Sequence, residues 1–275
     1  MTTSDLIRKR RSVRTFNGTP LAAETAENLL DFAEKLENPF ERAIEWKILD
    51  AQKDGLSSPV ITGTNTYIAG KMNRAPRAEE AFGYTFEKIV LYAASLGVGT
   101  TWIAGTMDRK AFEHAMRVGE GEVMPCVSPL GYPAKKMSLR ETMMRKGIKA
   151  DTRLPFGELF FDGAFGVPLT EKAAGGMLPL LEAVQLGPSA VNRQPWRVVK
   201  CGDTAHFYEN SGKGVKTEAL DMKKIDLGIA LCHFELAAAE QGLKTRFVFE
   251  DPRLKNAGDC VYIASVALDT AGDVC

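Results

Sequence analysis

The chain has 275 residues, 45% hydrophobic and 25% charged, the composition of a soluble globular protein with material for one large domain or two ordinary ones. Lys+Arg and Asp+Glu balance at 35 each, which argues against nucleic acid or an anionic membrane as the main partner. Cys126, Cys201, Cys232, Cys260 and Cys275 are odd in number and lack C-x-x-C spacing, as expected of reduced thiols in a cytoplasmic protein rather than a disulfide framework.

From the N-terminus, the pattern predicts a short helix beginning at Ser4 and then a basic loop. The loop holds Arg10, Arg11, Ser12 and Arg14, three guanidinium forks and a hydroxyl within five positions. Guanidinium meets phosphate through two parallel charge-assisted hydrogen bonds, so the group suits a phosphate dianion. The competing reading is a solvated basic face, or a localisation or nucleic-acid patch. No secretory leader is expected, because polar residues and not an apolar run follow Arg8 to Arg11. Residues 22–37 carry helical spacing through Leu29, Leu30, Ala33 and Leu36, and Asn38-Pro39 ends it. Trp46, Ile48 and Leu49 read as a strand. Residues 53–80 are rich in Gly, Pro, Ser, Thr and Asn and read as a long loop with a short strand around Tyr67 and Ile68. Loops of that length are often functional.

A helix is predicted from Glu80 to Leu96, with Phe82, Phe86, Ile89 and Ala93 on one face. The uncharged stretch from Ile89 to Met107 is interrupted by Gly97, Gly99 and Gly105, so it reads as a helix end plus a strand and not a membrane span. The turn Gly97 to Trp102 is no dinucleotide fingerprint, since its glycines follow a helix instead of a strand. A helix over Arg109–Val118 and an apolar strand from Met124 to Tyr132 follow, and the basic stretch 135–146 reads as a solvated helix face unless it folds back onto a bound ligand.

Residues 187–199 read GPSAVNRQPWRVV. Gly187-Pro188 signals a turn, Pro195 denies a helix its continuation, and Trp196, Val198 and Val199 begin a strand. Ser189, Asn192 and Gln194 place a hydroxyl and two amides just ahead of it. They suit a polar planar ligand, or else an ordinary helix-to-strand connection with a capping Ser. His114, His206 and His233 share no metal-ligand spacing, so no metal is expected and His233 reads as structural. Ser189 lacks the G-x-S-x-G setting of a hydrolase nucleophile.

The string Pro188, Ser189, Asn192, Gln194, Pro195 and Trp196 resembles the flavin-contacting loop of the nitroreductase family. Arg10, Arg11, Ser12, Arg14 and Phe16 resemble that family's N-terminal cluster. The resemblance implies an α+β nitroreductase-like fold and FMN as cofactor, with no catalytic side chain because the flavin carries the chemistry. It implies Arg10, Arg11 and Ser12 near the FMN phosphate and ribityl chain, and Arg14 towards the pyrimidine edge. The backbone of Ala104 and Gly105 is implied near N5, and Lys136 and Arg140 as further phosphate-binding bases. Pro188, Ser189, Asn192 and Gln194 are implied as contacts from the second half of the chain. NAD(P)H is the implied donor, and a nitroaromatic, quinone or other small oxidised molecule the acceptor. A non-catalytic flavin store or redox sensor is the alternative, and a nucleic-acid module using Arg8 to Arg14 a third reading.

A second helix, predicted over Asp226–Gly242, places Leu227, Leu231, Phe234 and Ala238 each 145 positions after Phe82, Phe86, Ile89 and Ala93. Gly83, Leu91, Ala93, Ala94, Gly97 and Thr100 recur as Gly228, Leu236, Ala238, Ala239, Gly242 and Thr245. Chance supplies roughly one such identity over the window. Two tandem copies are therefore expected, 1–155 and 156–275, folded as an internal pseudo-dimer in a monomeric chain. The first copy keeps the arginines but reads NPFERAIEW where the polar loop belongs, and the second keeps the loop but starts LFFDGAFGVPL without an arginine. One complete site is expected.

Overall fold

The computed structural model describes residues 1–212, 220–255 and 257–269; Cys275 lies outside the described residues. Two compact units divide the chain: Lys9–Ala150, and Met1–Arg8 together with Asp151–Cys275. The opening helix α1 (Thr3–Lys9) thus belongs largely with the late part of the chain. There the Ser4 backbone N–H lies 3.3 Å from the Glu240 carboxylate, which also accepts from the Ser4 hydroxyl.

The early unit contains α2 (Ala23–Glu34), β1 (Glu45–Asp50), α3 (Ala51–Asp54), β2 (Thr66–Asn73), α4 (Ala78–Ser95), α5 (Arg109–Ala115), β3 (Glu122–Val123), β4 (Val127–Leu130) and α6 (Leu139–Gly147). β2 is the hub of its sheet, antiparallel to β1, to β4 over Thr66–Ala69, and to β3 at Met72 and Asn73. Burial on both faces explains its run of covered residues from Tyr67 to Met72. On one side Trp46 stacks obliquely on Phe82 and Phe86 of α4, with centroids 5.3 and 5.2 Å away. Elsewhere in the unit Leu49, Tyr67, Ile103, Phe112, Met116 and Val127 form a further core cluster.

Several boundaries differ from the sequence expectation for local reasons. α2 stops at Glu34, and Asn38 then turns the chain by accepting from the Phe40 and Arg42 N–H groups through one oxygen. The expected long loop over 53–80 holds an eight-residue central strand and the start of α4. Lys71 disguises that strand; its ammonium is buried but paired with Glu122 at 3.0 Å and Glu45 at 3.3 Å. α5 ends at Ala115, short of Val118, and the strand expected from Met124 begins only at Val127.

In the late unit α7 (Phe156–Leu159) leads into β5 (Phe160–Asp162), followed by α8 (Glu171–Ala174), α9 (Leu178–Gln185), β6 (Trp196–Cys201), β7 (Thr204–Asn210), α10 (Met222–Glu240), β8 (Lys244–Val248) and β9 (Cys260–Asp269). The sheet order is β5-β6-β7-β9-β8, with β5 parallel to β6 and the other pairs antiparallel. α10 starts one turn earlier than expected because Asp221 caps it, accepting from the Lys223 N–H at 3.1 Å. His233 is structural: fully buried, its Nδ1 contacts the Ala183 carbonyl of α9 at 2.8 Å.

The spacing in α4 and α10 predicts one buried face each, whereas both helices are covered nearly all round. Both also end alike. Gly97 and Gly242 each adopt φ 74°, left-handed backbone that favours glycine. Val98 N–H then closes on Ala93 O at 2.9 Å, and Leu243 N–H on Ala238 O at 3.0 Å. Within the described residues no helix is long and apolar enough to cross a membrane, and no disulfide involves Cys126, Cys201, Cys232 or Cys260.

Candidate functional site

The arginine segment is held as extended backbone in the early unit. Ser12 bridges Thr100 in parallel, with Val13 N–H donating to Thr100 O at 2.8 Å, so the segment lies along the turn that follows α4. Buried Val13 anchors it. Further on, Phe16 N–H donates to Thr62 O at 2.8 Å, and a Cβ at Gly63 would lie 2.2 Å from Phe16 O. Only glycine permits that approach.

This anchoring gathers charge. The Arg10 side chain is only 7% exposed, its Nε 3.7 Å from the fully buried Glu87 carboxylate. Arg11, more open, has Nη1 3.8 Å from buried Glu141. Burial pushes the Arg10 guanidinium below its usual range; Glu87 opposes the shift, and the positive charge of Arg145 adds to it. Arg14 is lowered by burial too, against Glu141 and again with Arg145. Arg145 therefore joins the cluster from α6, a residue that no motif in the sequence singles out. Arg10 faces the Glu87 carboxylate, and Arg11 and Arg14 face that of Glu141. Arg10 Nε and Arg14 Nη1 are buried with no hydrogen-bond partner. Arg10 Nε faces Glu87 beyond hydrogen-bond reach, whereas Arg14 Nη1 is a donor that an anion would satisfy.

A signal for α6 is present in Ser138-Leu139-Arg140-Glu141, the spacing of a capping box. Ser138 Oγ does accept from the Glu141 N–H at 3.1 Å. The reciprocal bond is not made: Ser138 N–H donates to Thr15 Oγ1, and the Glu141 carboxylate faces Arg11 instead. Of the other bases, Lys136 is exposed, and Arg140 is exposed and donates to the Pro59 carbonyl.

Ala104 and Gly105 lie in the segment after the turn. Arg109 clamps it, donating to Ala104 O at 2.8 Å, Met124 O at 2.7 Å and Pro125 O at 3.1 Å. Gly105 is exposed, with open space where a Cβ would stand.

The polar loop of the late unit is tied to its own surroundings. Ser189 Oγ accepts from Gln194 N–H at 2.9 Å, and Asn192 Nδ2 donates to Thr152 O at 3.1 Å. Gln194, 3% exposed, accepts from Leu154 N–H at 2.9 Å and donates to Asn192 O at 3.3 Å. Pro188 is half-buried beside them. Val191, Asn192 and Gln194 all have positive φ, 46°, 58° and 49°. For β-branched Val191 this is a strained backbone, of the kind that clusters at ligand-binding segments. Behind the loop, buried Asp226 of α10 accepts the Ala190 N–H on both oxygens at 3.1 Å. Among the described residues, no cluster of three or more His, Cys, Asp or Glu is arranged to hold a metal.

A family model described as "Putative TM nitroreductase" matches residues 2–238. Among solved structures, a putative nitroreductase from Thermotoga maritima MSB8 shares 20% identity and a TM-score of 0.62, over 98% of this chain and 93% of that one. A nitroreductase family protein from Clostridium difficile 630 is 17% identical, with a TM-score of 0.46 over 57% of this chain and 96% of its own. An FMN-dependent nitroreductase from Clostridium difficile R20291 is 18% identical, with a TM-score of 0.41 over 51% and 94%. No curated protein matches the chain. The likeness to the Thermotoga structure shows an α+β nitroreductase fold over nearly the whole length.

Proposed function

The chain belongs to the "Putative TM nitroreductase" family, and on that premise we propose an FMN-dependent oxidoreductase passing hydride from NAD(P)H to a small oxidised acceptor such as a nitroaromatic or quinone. The observation that carries the reading is the buried arginine cluster. It gathers Arg10, Arg11, Arg14 and Arg145 around the carboxylates of Glu87 and Glu141 and leaves Arg14 Nη1 buried without a hydrogen-bond partner, which fits a phosphate monoester dianion. FMN, when bound, supplies the hydride chemistry.

The chain's own residues supply binding and electrostatics. Arg10, Arg11 and Ser12 are assigned to the phosphate end, with Arg145 added to them. Arg14 is assigned to the pyrimidine edge, where a cation favours the charge that develops on reduction. The segment held by Arg109 presents Ala104 and Gly105, and open space beside Gly105 permits close approach of a planar ring. Pro188, Ser189, Asn192 and Gln194 are assigned to the flavin as a preformed, strained loop; the internal bonds of Ser189 and Gln194 make them shape the loop as much as touch a ligand. We further propose that the chain is a tandem duplication acting as an internal pseudo-dimer, with one complete set of cofactor residues.

Purification tests this directly. A yellow protein with about one FMN per chain, bleached within seconds by NADH or NADPH in stopped flow, is expected. A colourless protein without affinity for added FMN removes the reading, and FMN that resists both donors leaves the storage or sensing role. Arg10→Ala and Asn192→Ala are each expected to weaken FMN binding by about tenfold or more in fluorescence titration. Unchanged affinity in either variant removes that residue from the site.

A further inference from the structure

We propose that Glu87 is a positioning residue for the anion-binding arginines: from inside α4 its carboxylate sets the direction of the Arg10 guanidinium and ties it to the segment leading to Gly105. The inference rests on the flavin reading and adds to it. Glu87 is fully buried. One oxygen accepts the Trp102 indole N–H at 3.1 Å, and the other lies 3.7 Å from Arg10 Nε. The carboxylate addresses Arg10 through Nε. Trp102 is itself fixed against Phe86, centroids 4.7 Å apart, two residues before Ala104. Through one side chain the phosphate end and the Ala104–Gly105 segment share a common support.

Stability alone does not account for this arrangement, since a buried ion pair of this kind is often no more stabilising than an apolar replacement. The proposed internal repeat supplies a second argument from the sequence. At the helix offset of 145, Glu87 corresponds to Cys232 of α10, also fully buried, and Trp102 corresponds to Phe247, whose ring has no N–H. Where the first copy has Arg10, the start of the second, LFFDGAFGVPL, has no arginine. The acid, its indole donor and the arginine occur together in one copy and are absent together from the other. A carboxylate required only by the helix packing would have no reason to follow the arginine.

The test compares FMN with riboflavin, which lacks the phosphate, as ligands of the apo form of the full chain. Glu87→Gln keeps the shape and the acceptor for Trp102 but removes the charge. FMN affinity is expected to fall by about tenfold or more while riboflavin affinity changes by less than about twofold. An equal fall for both flavins assigns Glu87 a packing role only and overturns the inference, as does an unchanged or tighter FMN affinity. Should the Gln variant not fold, Trp102→Phe, the residue of the other copy, is expected to show the same FMN-selective loss to a smaller degree; its absence overturns the inference too. A wild-type chain that binds neither flavin overturns the flavin reading along with this one. A wild-type chain that discriminates FMN from riboflavin, beside a Gln variant that does so equally, overturns this inference alone.

Discussion

Arg109 shows how a residue with no motif around it shapes a site. One guanidinium satisfies three carbonyls, Ala104, Met124 and Pro125, and so fixes two segments against each other. Replacing it with Met preserves much of the apolar stem and orphans all three acceptors. Hydrogen bonds to charged donors contribute about 1.5–3 kcal/mol each, with part recovered by water at this half-exposed position. Arg109→Met is expected to cost about 2 kcal/mol in urea denaturation and to speed amide exchange at Gly105. Unchanged exchange there would show that the segment is held by something else. Gly63 makes the complementary case: a methyl group 2.2 Å from Phe16 O, at φ 82°, forces the arginine segment off Thr62. Gly63→Ala is expected to destabilise by about 1–3 kcal/mol, read as a lowered Tm.

At the scale of elements, α10 carries a pH dependence. Burial pushes the Asp226 carboxyl well above its usual range; the Ala190 N–H pulls it down, and Asp221 and Glu209 push it up again. Lys223 gives little relief, because its ammonium is drawn to Glu209 at 2.5 Å. A carboxyl raised on folding binds its proton more tightly in the folded state. The associated stability is full below the unfolded value of about 3.9 and is lost as pH rises through the folded value. Asp226→Asn keeps an acceptor for Ala190 and has no charge to bury. Relative to wild type, its Tm is expected to improve progressively as pH rises above about 4. A difference that stays flat as pH rises rules out titration of Asp226. The helix ends themselves are readable: Gly97 and Gly242 terminate α4 and α10 where a left-handed residue is needed.

For the whole molecule, the proposed duplication makes a claim about stoichiometry. Equilibrium sedimentation of the flavin-loaded chain is expected to give a monomer carrying about one FMN; two flavins per chain would mean that the second copy had kept a site. The family is legible in the sequence because its signature residues stand close together in the chain, Arg10 to Arg14 and Pro188 to Trp196. The periodic spacing of apolar residues likewise announces the two long helices, whose apolar faces are fully buried. Other features are hidden. β2 contains Gly70 and Lys71, which look like loop residues until Glu122 and Glu45 are seen to neutralise the lysine. Arg145, Glu87 and Glu141 meet Arg10 to Arg14 from about 70 to 135 positions away, with no local pattern to connect them. Local spacing determines which residues share a helix face or a turn, and so which family's motifs the chain displays. Only tertiary packing decides which buried carboxylate faces which guanidinium, because that pairing depends on desolvation and direction, neither of which a linear string records.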